Sequence, residues 1–211
     1  MRFGTAKGLS AGSPKSTGLP ITRHSSGFEQ FCGMLQNSAN LSILDMSGAS
    51  QANVSFVTGY GHRISSDDAL GTMQHCFGND FYTNQQAASN AHRFLEQTLT
   101  FPDETFDGAL IWDTLQFLVP PVLDDMVAKL LRVMRPGALI LCFFNADEKS
   151  TQMPVYNYRV QDARTLLQTP RGGYQKTQYF NNRMLEKVFE KASSLKFFLT
   201  RGAQREIIVR R

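Results

Sequence analysis

Leu99-Thr-Phe-Pro-Asp-Glu-Thr-Phe-Asp-Gly-Ala-Leu-Ile-Trp-Asp-Thr-Leu-Gln-Phe-Leu118 is the stretch on which the fold turns. Phe101 to Asp107 is a Pro- and Asp-bearing turn, and Gly108 to Trp112 is a short buried strand. Pro120 and Pro121 open a helix over Val122 to Met134, with Leu123, Met126, Val127, Leu130 and Leu131 as its inward stripe. Arg132 and Arg135 lie in the last turn, where cations complement the helix dipole. Arg135-Pro-Gly137 stops the helix, and Ala138 to Phe144 follows as a continuous apolar run suited to a central parallel strand.

The flanks continue the alternation. Ser26 stands three residues before Glu29 in a capping-box pattern, and Phe28, Phe31, Cys32 and Leu35 form one helical face. Leu41 to Met46 reads as a short apolar strand running into the small-residue turn Ser47-Gly-Ala-Ser50. Ala52 to Thr58 is a helix closed by Gly59 and Gly61, and His62 to Ser66 is a strand ending at Asp67 and Asp68. Asn84 to Leu99 is an exposed helix with Ala87, Ala91, Phe94 and Leu95 facing in; Asn182 to Ala192 is a further helix, with Leu185, Val188 and Phe189 facing in. Leu195 to Leu199 and Gln204 to Val209, joined by Thr200-Arg-Gly-Ala203, read as an antiparallel hairpin. The sum is a three-layer α/β sandwich with a mainly parallel sheet and an antiparallel edge. Residues 145–180 are too long for a plain connection. Their aromatic stretch Met153 to Val160 and the turn Arg171-Gly-Gly-Tyr174 fit either a lid on the site or a packing excursion at the sheet edge.

With 211 residues, 42% hydrophobic and 19% charged, the chain makes one domain that needs no disulfide or metal staple. Its longest apolar run, Ala138 to Phe144, falls far short of the ~18 residues of a membrane span, so no membrane is expected. The net charge of +4 comes from Arg2, Lys7, Lys15 and Arg23; from Glu29 onward 18 basic residues balance 18 acidic ones. Residues 1–27, rich in Gly, Ser, Thr and Pro, read as a flexible basic tail before a domain over 28–211. The tail lacks the apolar core of a secretory signal; a transit peptide, basic and acid-free, is the alternative. Nucleic acid is not indicated by the balanced domain, and any such contact would run through the tail cations. Cys32, Cys76 and Cys142 form no Cys-x-x-Cys pair and sit beside Phe31, Phe77, Leu141 and Phe143. They read as small buried hydrophobes in a reducing cytoplasm. His24, His62, His75 and His92 have no ligand spacing, so no metal is expected.

Chemistry in an open α/β sheet sits at the carboxyl ends of the strands, near the switch in strand order. Asp45 ends the first strand beside small residues that let backbone N–H groups approach a ligand. Asp67 and Asp68 end the next, at the spacing from which an acid takes both hydroxyls of a ribose. The turn holds one glycine, so the Gly-x-Gly-x-x-Gly of a nicotinamide-dependent oxidoreductase is absent.

Leu99 to Leu118 resembles the fourth-motif region of class I S-adenosylmethionine-dependent methyltransferases, in which a turn like l-P-F-P-D-x-S-F-D enters a strand ending in an acid. Leu130 to Leu141 is similar to their helix-Pro-Gly-strand element, and the terminal hairpin to the reversed last strands of their sheet. The resemblance spans roughly residues 27 to 211. It implies a Rossmann-like, seven-stranded, mostly parallel sheet with an antiparallel C-terminal hairpin. It implies S-adenosylmethionine as cofactor and methyl transfer to an unidentified acceptor, taken here as a small molecule. Asp45 then matches the acid closing the first strand, and Ser47, Gly48 and Ala49 occupy the cofactor loop. Asp67 is the ribose acid, with Asp68 the alternative. Trp112 and Asp113 end the fourth strand, the indole walling cofactor or acceptor and Asp113 orienting an acceptor group. The third-strand acid has no clear match, with Glu96 or Gln97 as substitutes. The family writes acid-x-Gly-x-Gly-x-Gly where this chain has Asp45-Met-Ser-Gly-Ala-Ser-Gln51. If those positions require positive φ, Ser47, Ala49 and Gln51 carry a steric cost, and a non-catalytic binding or partner protein of the same fold is the alternative. Methyl transfer from a sulfonium needs alignment and a dry pocket more than a nucleophile, so no catalytic triad is expected.

Overall fold

The computed structural model describes residues 19–198 and 204–211. In chain order these form β1 (Ile21–His24), α1 (Ser26–Gln36), β2 (Ser42–Asp45), α2 (Gln51–Gly59) and β3 (Arg63–Ser66). Then come α3 (Ala69–Phe77), α4 (Phe81–Asn84), α5 (Ala88–Gln97) and β4 (Phe106–Trp112), followed by a 3-10 turn (Thr114–Phe117). The chain continues through α6 (Pro120–Val133), β5 (Met134–Asn145), β6 (Gln152–Val160), β7 (Thr165–Lys176), α7 (Asn182–Val188), β8 (Ser194–Phe198) and β9 (Gln204–Arg210).

The main sheet has six strands in the order β3-β2-β4-β5-β9-β8. The first four are parallel; β9 runs antiparallel to β5, and β8 antiparallel to β9. The reversed C-terminal pair is therefore present, while its turn, Thr200 to Ala203, lies outside the described residues. The expected seven strands are corrected to six among the described residues. Between α3 and α5 the chain reads Gly78-Asn-Asp-Phe-Tyr-Thr-Asn-Gln-Gln86, too polar and too poor in β-branched residues for a strand. Asp80 instead caps the short α4 by accepting from the Thr83 amide (2.9 Å).

Alternation along β5 builds the layers. Leu139, Leu141 and Phe143 face α1, α2 and a second, three-stranded sheet; Ile140, Cys142 and Phe144 face α3, α5, α6 and α7. Each such side chain contributes ~1.5–3 kcal/mol on leaving water, so β5 anchors both faces. α3 is marked in the sequence by Ala69, Leu70, Met73, Cys76 and Phe77 behind Asp68, a helical spacing that the reading above omits. All three cysteines are free and buried, and burial pushes the Cys32 thiol up to about 12. His62 is buried too. Its Nδ1 accepts from the Leu41 amide (3.2 Å), which leaves Nε2–H to donate to the Leu35 carbonyl (2.8 Å).

The second sheet, β1-β7-β6, is antiparallel throughout and contains most of residues 145–180. It also draws in Ile21–His24, so part of the segment read as tail is structured; Arg2, Lys7 and Lys15 lie outside the described residues. Arg23 is not a free surface cation: it donates to Gln204 and to Glu206 Oε1 (2.5 Å) and lies over the Phe143 ring. Ser25, not Ser26, caps α1, its Oγ accepting from the Phe28 amide (3.1 Å). Glu29, the expected capping-box partner, pairs with Arg164 instead. Fully buried Glu206 collects Arg23, the Ser25 hydroxyl (2.9 Å) and the Gly27 amide (2.7 Å). A Cβ on Gly27 would stand 2.9 Å from Leu141 Cδ1 and 3.0 Å from Glu206 Oε2, so only glycine lets α1 start this close to the sheet. Glu206→Ala strands a largely buried guanidinium and is expected to cost ~3–5 kcal/mol in urea unfolding, with Glu206→Gln costing less.

Candidate functional site

The strand order switches between β2 and β4, because the chain moves outward from β2 to β3 and then crosses back to β4. Their carboxyl ends bear Asp45 and Trp112-Asp113, and a crevice at such a point is the default ligand site of an open α/β sheet.

Asp45 is fully buried and saturated. Its Oδ1 accepts from the Ser47 amide (3.0 Å), the Ser47 hydroxyl (2.8 Å) and Trp112 Nε1 (2.8 Å); Oδ2 accepts from Asn53 Nδ2 (2.6 Å). Burial raises its pKa, and the bonds from Asn53, Trp112 and Ser47 oppose that rise. Asn53 goes further, donating to the Tyr158 carbonyl (3.1 Å) and accepting from the Val160 amide (2.8 Å), which ties α2 to β6.

A cleft of about 550 Å³ opens beside this knot, lined by Ser47 to Ala52, by Asp68, and by Asn157, Tyr158, Arg159 and Arg171 of the β6–β7 hairpin. That volume lies within the ~300–1,000 Å³ of small-molecule sites. Another groove, between α6 and α7, is lined mainly by apolar side chains and stands away from the switch. In the cleft loop only Gly48 has positive φ (+83°); Ser47, Ala49 and Gln51 do not. The steric cost expected of the non-glycine residues is therefore not incurred, and the one glycine stands where the backbone requires it.

Of the two acids, Asp68 lines the cleft. It accepts both Arg171 guanidinium nitrogens (2.6 Å each) and caps α3 through the Gly71 amide (2.9 Å). Burial pushes its carboxyl up, but Arg171 and Gly71 outweigh burial and hold it below the usual range. Asp67 is outside the cleft lining: its Oδ2 accepts from the Leu99 amide (2.8 Å), and burial raises its pKa. Glu96 is exposed and paired with His92, so it offers no third-strand acid.

Trp112 is buried with φ +58°, a region in which a bulky residue costs ~1–3 kcal/mol and which clusters at functional sites. It stacks on Tyr158 (5.0 Å, 2° between planes), so the hairpin residue closes the crevice over β4. Asp113 is fully buried, and burial raises its pKa to about 7, opposed by the Tyr158 hydroxyl and by Arg23. Among the described residues three buried side-chain oxygens have no hydrogen-bond partner, and all belong to this turn: Asp113 Oδ1, Thr114 Oγ1 and Gln116 Oε1. Also among the described residues, no His, Cys, Asp and Glu cluster can hold a metal, and no helix is long and apolar enough to cross a membrane. Asn53, Tyr158 and Arg171 are the site residues that the sequence reading misses. The aromatic run around Tyr158 was the only local signal, since pairing of the hairpin with the sheet is invisible in sequence.

No protein-family model and no curated protein matches the chain. Solved structures of similar fold include a SAM-dependent methyltransferase from Methanosarcina mazei, 12% identical at a TM-score of 0.49, covering 83% of this chain and 94% of that one. A second is the 1,6-didemethyltoxoflavin-N1-methyltransferase of Burkholderia thailandensis, bound to 1,6-didemethyltoxoflavin and S-adenosylhomocysteine (13%, 0.47, 88% and 78%). A third is a SAM-dependent methyltransferase from Aquifex aeolicus (12%, 0.46, 87% and 88%). Likeness this distant decides nothing about activity.

The Asp113 environment gives a signed expectation. A carboxyl whose pKa rises on folding keeps its proton in the folded chain while the unfolded chain loses it, so stability falls with rising pH between the two values. Relative to Asp113→Asn, the wild-type chain should lose stability from about pH 4 to about pH 7 and level off above, with a gap of about 4 kcal/mol. Urea unfolding of both proteins across that range reads the gap, and parallel curves would contradict it. The strand order, the β2/β4 switch and the reversed β8–β9 pair are those of the open α/β sheet that the sequence resemblance implies, with six strands among the described residues where seven were expected.

Proposed function

We propose that the chain binds S-adenosylmethionine in the cleft at the β2/β4 switch and transfers its methyl group to a small-molecule acceptor in a reducing cytoplasm. The observation that carries this reading is the cleft loop itself. Gly48, at φ +83°, is the residue whose Cβ would come within 3.3 Å of Asp68 Cβ and Cγ, so glycine lets the loop backbone lie close against the acid at the mouth of the cleft.

Bound there, the cofactor would supply a methyl group on a sulfonium whose leaving group is already activated. The chain's own residues then have limited duties. Ser47 to Ala52 present backbone to the ligand, and Asp68 is the carboxylate available to ribose hydroxyls once Arg171 yields. Trp112, Phe143 and Tyr158, in mutual ring contact, keep water from the end of β4. The Arg171–Asp68 pair and the seated Tyr158 favour a second reading, a non-catalytic binding protein whose cleft stays shut.

Titration calorimetry with S-adenosylmethionine, S-adenosylhomocysteine and NAD separates the two. Heat with the first two and none with NAD is expected; no heat with either sulfur ligand from folded protein sinks the proposal. Gly48→Ala forces a side chain into the left-handed region and should lower stability to urea by ~1–2 kcal/mol. Asp68→Ala should weaken binding, whereas Asp67→Ala should leave it unchanged.

A further inference from the structure

We infer that the cleft takes an oxyanion, a carboxylate or phosphate held by Arg159 and Arg171, and that Arg171 is released to it when ligand hydroxyls replace its guanidinium at Asp68. On the proposed function this oxyanion belongs to the methyl acceptor, so the inference rests on that reading for the identity of the second ligand.

The first support is how the Arg171–Asp68 pair is built. Along the β6–β7 ladder Pro154 pairs with Tyr174 and Tyr156 with Pro170, so Arg171, Gly172 and Gly173 stand opposite Val155 alone. A bulge of this kind leaves residues outside the ladder and re-aims their side chains. Gly172, at φ +89°, supplies the left-handed backbone at the bulge. On the facing wall, a Cβ on Gly71 would collide with Asp68 Oδ2 and stand 3.0 Å from Arg171 Nη2, so a side chain in this first turn of α3 would displace the pair. The two side chains are 30% and 45% exposed. An ion pair that wet is worth only ~0–1 kcal/mol. A ligand can therefore exchange it at little cost, and the bulged segment can shift without loss of the ladder.

Charge supplies the second support. Two arginines line the cleft against one carboxylate. Arg159 has no side-chain partner among the described residues. Its backbone is nevertheless fixed, because Asn53 donates to the Tyr158 carbonyl on one side of it and accepts from the Val160 amide on the other. Asn157, two residues back on the same face of β6, accepts from Arg171 Nη1 (3.5 Å), so all three side chains belong to one wall.

Hydroxyls that take Asp68 leave the Arg171 guanidinium without its carboxylate, beside a second arginine that has none. Two guanidinium forks match the oxygens of a carboxylate or phosphate and repel an ammonium. The two ligands then assist each other. Hydroxyls release Arg171 to the oxyanion, and the oxyanion holds Arg171 away from Asp68. Linkage makes that assistance equal in both directions.

The test is calorimetric titration of the full-length protein with phenyl phosphate and benzoate beside benzylamine and benzamide, each with and without saturating S-adenosylhomocysteine. The oxyanions should bind at least ~10-fold tighter than the amine and the amide. Phenyl phosphate leads if the ligand group is a phosphate ester, and benzoate leads if it is a carboxylate. S-adenosylhomocysteine should tighten the preferred oxyanion ~5-fold or more and be tightened by the same factor. Arg159→Ala and Arg171→Ala should each weaken the oxyanion ~10-fold. Arg171→Ala should also tighten S-adenosylhomocysteine, because nothing then competes for Asp68. Asp68→Asn keeps an acceptor for the cap of α3 and frees Arg171 without any cofactor. It should tighten the oxyanion and weaken S-adenosylhomocysteine, opposite signs that a merely structural role would not produce. Equal affinity for oxyanion and amide, or oxyanion affinity unchanged in both arginine variants, overturns the inference. S-adenosylhomocysteine binding without oxyanion preference refutes the oxyanion site alone. Oxyanion binding that tightens in Asp68→Asn, in a protein that takes no S-adenosylhomocysteine, refutes the cofactor reading and leaves the oxyanion site standing.

Discussion

One buried carboxylate organises the functional end of this protein. Asp45 ends β2 without solvent contact and receives donors from the loop that follows it, from the first turn of α2 and from the indole at the end of β4. A carboxylate so placed is costly unless every lone pair is answered. Each donor is therefore held in a fixed place, and with it the segment that carries it. The strained Trp112 backbone, the turn through Gly48 and the docking of Asn53 on β6 all follow from satisfying that group.

The second sheet extends this constraint to the N-terminal segment and the C-terminal strand. Tyr158 shares its hydroxyl with Gln168 and Gln204; Gln204 meets Arg23, Arg23 meets Glu206, and Glu206 holds the start of α1. A polar chain thus runs from the end of β4 to the first described strand, buried for most of its length. Buried networks of this kind are stiff when complete and expensive when broken. The hairpin that covers the site is accordingly bound into the fold, although its contacts at Asp68 and Trp112 are side-chain contacts that can exchange for others.

Much of the architecture was legible because it depends on local periodicity. The β4–α6–β5 order, the face of α1, the reversed final pair and the burial of the cysteines all follow from apolar spacing and from the residues that stop helices. The missing edge strand and the structured part of residues 21–27 were not legible. A strand's existence depends on what it pairs with, and Ile21–His24 pairs with β7 more than a hundred residues away. Helix α3 could have been read from its spacing behind Asp68.

At the site the division is sharper. The sequence by itself determined that Asp45, a loop with a single glycine, the acids after β3 and the Trp112-Asp113 pair belong to strand ends, because alternating strands and helices deliver strand ends to one edge of a sheet. Only the tertiary structure decided which acid faces the cleft, since adjacent side chains diverge and a shift of one residue exchanges Asp68 for Asp67. It also decided that Ser47, Ala49 and Gln51 are tolerated, because backbone φ is set by how the turn closes on β3 and not by residue type alone. Tyr158, Asn53 and Arg171 reached the site by packing across the chain, which no local pattern encodes.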